Sequence, residues 1–120
     1  MKNKAFTLME MMIVLVIIGI LMSLSVGGAI KILAQAKIGQ AEADIAALAS
    51  AVSRYERDIG KYPATLSNAN LGSYIDFDSA GNYLDPWGSP YTYVNPGTNN
   101  INFVDISTTA PNGGGTIGNW

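Results

Sequence analysis

FTLMEMMIVLVIIGILMSLSVGGAI, Phe6 to Ile30, is the stretch on which the fold turns. Across these 25 residues the only formal charge is Glu10, and the only other polar side chains are Thr7, Ser23 and Ser25. Met11 to Met22 carries no polar side chain at all. Roughly 20 helical residues cross the hydrocarbon core of a bilayer, so the run is long enough to span one. It exceeds the roughly 7–15 apolar residues of a removable secretion signal. Helix-forming sequence also continues past the small-x-small stretch Ser23-Leu24-Ser25. The run reads as a retained anchor. Lys2 and Lys4 precede it, while Lys31 and Lys37 follow; the basic leader leans the topology toward a cytoplasmic N-terminus. A lone carboxylate at the edge of such a run is costly and needs a reason.

Working outward from the anchor, helix signals persist. Ala41, Ile45, Leu48, Val52, Tyr55 and Ile59 recur at spacings of four and three, which is one face of a helix. The segment Ala29 to Ile59 has no proline and is rich in Ala, Leu, Ile, Lys and Gln. Gly60 supplies a C-terminal cap, and Pro63 discourages resumption. One helix from Phe6 to Ile59 would measure roughly 80 Å at 1.5 Å per residue. Gly27-Gly28 is its expected weak point, each glycine costing up to about 1 kcal/mol against alanine.

From Lys61 onward the vocabulary is turns and short strands. Asp85-Pro86-Trp87-Gly88 has the residue order of a type I turn. Tyr91–Val94 and Ile101–Ile106 read as strands separated by the turn cluster Asn95–Asn100, and the sequence from Ser107 reads as loop. Sixty residues of this kind bury little alone, so the stripe from Ala41 to Ile59 must form the other wall of their core. The predicted class is α+β: a long N-terminal helix, one half membrane-spanning and one half amphipathic, packed by a small antiparallel sheet. The organisation follows as leader 1–5, membrane or filament-core helix 6–30, amphipathic continuation 31–60 and β-rich part 61–120.

Composition excludes several function classes. Among 120 residues there is no cysteine and no histidine, which removes disulfides, thiol nucleophiles, imidazole catalysis and most zinc sites. A net charge of −2 and a pI near 4.8 argue against nucleic acid as a main partner. The mean hydropathy of +0.20 averages an apolar first quarter with a polar remainder.

The basic leader, the motif FTLME from Phe6 to Glu10 and the unbroken apolar helix resemble the class III signal of type IV pilins and pseudopilins. Lys61-Tyr62-Pro63, the run Asp85 to Tyr93 with its Pro90 and Tyr91, and Ile117 to Trp120 narrow the likeness to the major pseudopilin of type II secretion systems. Residues 64–84 carry no part of it. The resemblance implies a membrane peptidase cutting between Ala5 and Phe6, with methylation of the new amine on Phe6. Ala5 departs from the family's usual glycine, and Val26-Gly27-Gly28 stands where a proline is often found. It also implies that Glu10 neutralises the Phe6 amine of an adjacent subunit; an interfacial carboxylate at the headgroup level is the plainer reading. Implied partners are further copies in a helical filament, minor pseudopilins, an inner-membrane assembly platform and the prepilin peptidase. The implied location is the inner membrane, single-pass with the C-terminal part periplasmic, and then a periplasmic pseudopilus. A loop in that subfamily binds calcium. Here Ser107 to Thr116 contains no acid, with Ser107, Asn112 and Thr116 in that region, and this weighs against the metal.

Other features have ordinary readings. Tyr83, Trp87, Tyr91 and Tyr93 are expected to fill the packing surface of the sheet rather than form a ligand platform. The charges Lys31, Lys37, Glu42, Asp44, Arg54, Arg57 and Asp58 read as a solvated face, and Ala46, Ala47 and Ala49 as small residues able to face neighbouring subunits. Gly113 to Gly115 lack the following helix that a phosphate-cradling loop requires. The expectation is a structural, non-enzymatic subunit of a pseudopilus that drives protein export. A surface type IV pilin is the alternative, and a membrane-anchored enzyme or solute-binding module the rival from another class.

Overall fold

The computed structural model describes residues 5–120, without the side chains of residues 25–27. The elements in order are α1 (Leu8–Ile59), α2 (Asn68–Leu71), β1 (Thr92–Val94), β2 (Asp105–Thr109) and β3 (Thr116–Gly118). The strands form one antiparallel sheet of order β1-β2-β3, so the architecture is the predicted α+β arrangement. The chain divides into two compact units, the first closing at Gln35 and the second running Ala36–Trp120, and α1 contributes to both.

Both ends of α1 have local causes. Thr7 Oγ1 accepts a hydrogen bond from the Glu10 amide at 3.2 Å, satisfying one of the donors a helix start leaves unpaired. The Thr7-x-x-Glu10 spacing is that of a capping box, and it places an acid where the positive end of the helix dipole favours one. At the other end Gly60 adopts φ 81° and donates to the Glu56 carbonyl at 2.7 Å. That left-handed conformation is what glycine offers a helix stop. The bounds of α1 enclose Gly27-Gly28, so the helix does not melt at this expected weak point. Extending an existing helix adds a hydrogen bond per residue, whereas stopping and renucleating is costly.

Within the first unit, the described apolar side chains of α1 are exposed, from Leu8 at 79% to Leu33 at 64%. The helix is long and apolar enough to cross a membrane.

The core lies in the second unit. Ala41, Ile45, Leu48 and Val52 are buried as the stripe predicts, and Ala51 joins them from a position the stripe omits. Leu71, Tyr91, Val104 and Ile106 close the cluster from the other side. Full burial of a Leu, Ile or Val side chain contributes roughly 1.5–3 kcal/mol, so these few residues carry much of the fold. Ile59 is a correction. It is exposed, because α1 ends there and the chain leaves at Gly60.

The strand predictions need correcting too. β1 starts at Thr92, leaving Tyr91 just outside as a core residue. The second strand does not begin at Ile101. Phe103 donates to Asn100 and Gly97 to Phe103, so these residues close a turn and β2 begins at Asp105. Gly97 is required there, since a Cβ would lie 2.7 Å from Asp105 Oδ1 and 2.5 Å from the Asn100 carbonyl. Beyond Ser107 the chain is strand and hairpin rather than loop: Thr109 pairs with Thr116 and Ser107 with Gly118. In the stretch the sequence leaves unassigned, the short α2 delivers fully buried Leu71 to the core.

Candidate functional site

Three places carry the predicted functional residues. At the N-terminal edge, Ala5, Phe6 and Glu10 are all exposed, Phe6 at 71%. The Glu10 amide is held by the Thr7 hydroxyl, and the residue itself is exposed. The capping role is absent from the sequence reading, although Thr7-x-x-Glu10 signals it. Residues 1–4, with Lys2 and Lys4, lie outside the described residues.

The second place is the turn Asp85-Pro86-Trp87-Gly88. Gly88 donates to the Asp85 carbonyl at 3.0 Å, the closing bond of the predicted turn. The Asp85 carboxylate then accepts from the Trp87 amide at 3.0 Å, the Ser89 amide at 2.8 Å and the Thr108 hydroxyl of β2. Burial alone would raise its pKa. The Thr108 hydroxyl and the amides of Ser89, Trp87 and Gly88 outweigh that and hold it below the ordinary carboxylate value. Pro90 bridges to Leu84 across the base of the turn. Tyr91 is core, its hydroxyl donating to Asp44 of α1 at 3.0 Å, and desolvation with that bond pushes its pKa up. The motif is thus a clamp joining α1, the turn and β2.

Two of the ordinary readings change here. Asp44 is half-buried and partnered rather than simply solvated. Trp87 is half-buried but outside the core cluster, unlike Tyr83, Tyr91 and Tyr93, which pack in or against it. Of the small residues, Ala46 and Ala47 are exposed and Ala49 packs against the core.

The third place is the segment where the resemblance implies calcium. Ser107 sits in β2 opposite Thr92 and Gly118, Thr116 sits in β3 opposite Thr109, and Asn112 stands exposed in the connecting turn at φ 59°. These side chains belong to a ladder and a turn. Asp105, the nearby acid, turns both oxygens onto residues 98–100. Among the described residues, no three acidic, histidine or cysteine side chains group to hold a metal ion. The residues present do not fit calcium.

Comparison with known proteins bears on both ends of the chain. Residues 1–26 match the prokaryotic N-terminal methylation motif. Residues 29–119 match the model of type II secretion system protein G. The chain belongs to the type II secretion system protein G family. It is 36% identical to type II secretion system core protein G of Escherichia coli (strain K12), over 93% of this chain and 84% of that protein. It is 33% identical to the core protein G of Pseudomonas aeruginosa, over 99% of this chain and 96% of the relative. The core protein G of Vibrio cholerae is also 33% identical, with 99% and 92% covered. No solved structure matches the chain at comparable significance. Protein G is the major pseudopilin, a structural subunit, so the alternative of a surface type IV pilin is not favoured. The methylation motif and the apolar helix together fit a membrane-anchored protein.

Proposed function

We propose that this protein G chain is stored in the inner membrane through residues 6–30, with its N-terminus cytoplasmic and its second unit periplasmic. Prepilin peptidase cuts between Ala5 and Phe6, and the freed Phe6 amine is methylated. The assembly platform then draws copies into a helical pseudopilus, with minor pseudopilins and further copies of the chain as partners, and its growth drives protein export. The work is protein–protein assembly, not catalysis. The observation that carries this reading is the exposure of the apolar side chains along α1 in the first unit, beside a second unit that already has its own core. Such a surface is stable in lipid, and equally against copies of itself.

Glu10 gives the assembly its direction. A charged side chain in hydrocarbon costs several kcal/mol, and a partner of opposite sign removes much of that. The Phe6 amine of an adjacent subunit is such a partner. Deleting the gene should abolish export of the secreted cargo while leaving twitching and transformation intact, and Glu10→Gln should abolish pseudopilus formation seen by electron microscopy. Wild-type assembly by Glu10→Gln would refute the pairing. Loss of twitching with normal secretion would refute the assignment to export.

A further inference from the structure

We infer that the segment after β1 is fastened without calcium, by the side chain of Asn119 acting together with the capped carboxylate of Asp105. The donor set argues first. Asp105 is buried, and its Oδ2 accepts from the Thr98 amide at 2.7 Å, the Thr98 hydroxyl at 3.0 Å, the Asn99 amide at 2.8 Å and the Asn99 side chain at 3.2 Å. Its Oδ1 accepts from the Asn100 amide at 2.8 Å. Every one of these groups presents a hydrogen toward the carboxylate. A cation taking its place among them would face positive ends of dipoles. Calcium requires six to eight oxygens, with carboxylates supplying most of the charge, and residues 106–120 offer no acid. Among the described residues, no buried side-chain nitrogen or oxygen lacks a partner, so no orphaned buried side-chain oxygen points to a metal.

The fastening itself is visible. Asn119 Oδ1 accepts from the Ile106 amide at 2.9 Å, and Asn119 Nδ2 donates to the Val104 carbonyl at 2.8 Å. Its backbone amide donates to the Ile106 carbonyl at 3.2 Å. Its carbonyl accepts from Asn100 Nδ2 at 3.2 Å. The side-chain amide thereby behaves as an extra peptide group, prolonging the β2–β3 pairing past Gly118 on both sides of Asp105. Asn100 links this clasp to the loop that Asp105 holds, and the intervening turn is closed by Ala110 donating to the Gly115 carbonyl at 3.0 Å. Loop, strand and tail form one hydrogen-bonded circuit, with the job a bound ion would do already done.

The test is thermal unfolding of the full chain in detergent, in EDTA, in calcium and in magnesium. A specific ligand at about 100 times its Kd stabilises enough to move the Tm by several degrees. The wild-type Tm should be the same in all three solutions. Asn119→Ala should lower the Tm by about 5–10 °C in EDTA, the effect of losing two part-buried hydrogen bonds in a domain of this size, and calcium should not restore it. Asn119→Asp keeps the acceptor for Ile106 but sets a carboxylate oxygen against the Val104 carbonyl, so its Tm should fall at least as far. If neither folds, Asn100→Ala, which removes the link to the Asn119 carbonyl, should lower the Tm by a smaller amount that calcium does not restore. A rise in wild-type Tm with calcium but not magnesium overturns the inference, as does an unchanged Tm in any of these variants.

Discussion

Asp105 shows how one carboxylate can organise a loop. Burial would raise its pKa, but the amides of Asn99, Asn100 and Thr98 and the Thr98 hydroxyl outweigh this and bring it down to about 2. A group whose folded pKa is depressed contributes stability above its unfolded value, and loses that contribution as pH falls through the folded one. Asp85 is shifted in the same direction. At the alkaline side the sign reverses. Desolvation, with a smaller effect of Tyr62, pushes the Tyr93 hydroxyl up to about 12, while it donates to the Pro63 carbonyl at 2.7 Å. Its contribution is therefore full below about pH 10 and fades as pH rises through that range. Urea midpoints should form a plateau around neutrality, falling between about pH 4 and pH 2 and again above about pH 10. Asp105→Asn should lower the plateau and flatten the acid limb; an unchanged acid limb would mean the carboxylate is not what the loop depends on. The turn around Asp85 is readable from residue order because its closing bond and its Trp87 and Ser89 amide bonds are local, whereas its tie to Thr108 of β2 is not. The Asp105 loop is not, since its meaning depends on an acid meeting amides five to seven residues earlier.

At the scale of elements, α1 is the most legible part of the chain and the sheet the least. A stripe at spacings of three and four survives translation into structure because one helix face meets one core. It fails only at Ile59, where the partner surface has run out. Strand limits depend on partners that local pattern cannot see: Ser107 to Thr109 are strand because Thr92 and residues 116–118 lie beside them. The consequence for stability is testable at Leu48, fully buried in the middle of the stripe and backed by Leu71, Val104 and Ile106. Leu48→Ala should cost about 2–5 kcal/mol, the sum of lost transfer energy and an unfilled cavity. Ala47→Leu, one position away on the exposed side, should be close to neutral. Denaturant unfolding of both variants separates them, and equal losses would show that the stripe is not the core face.

For the whole molecule, the two units differ in what they need from their surroundings. Among the described residues, every buried hydrophobic side chain lies at Ala41 or beyond, and the second unit holds the β pairs, the Asp85 clamp and the Asn119 clasp. In the first unit the described large apolar side chains are exposed. A chain lacking residues 1–35 should therefore remain folded, unfold cooperatively and stay monomeric without detergent. It gives up the cap at Thr7, so its first helical turn should fray, and protection from amide exchange should begin near Ala41. Assembly should be lost with the same deletion, because the surface that lipid or neighbouring copies would cover has gone. Size-exclusion chromatography, circular dichroism and hydrogen exchange on the shortened chain check these outcomes together. If the shortened chain were unfolded, the first unit would be part of the folding core, contrary to its exposure. If it were folded but still polymerised, the filament contacts would have to lie on the second unit, and the apolar helix would be an anchor alone.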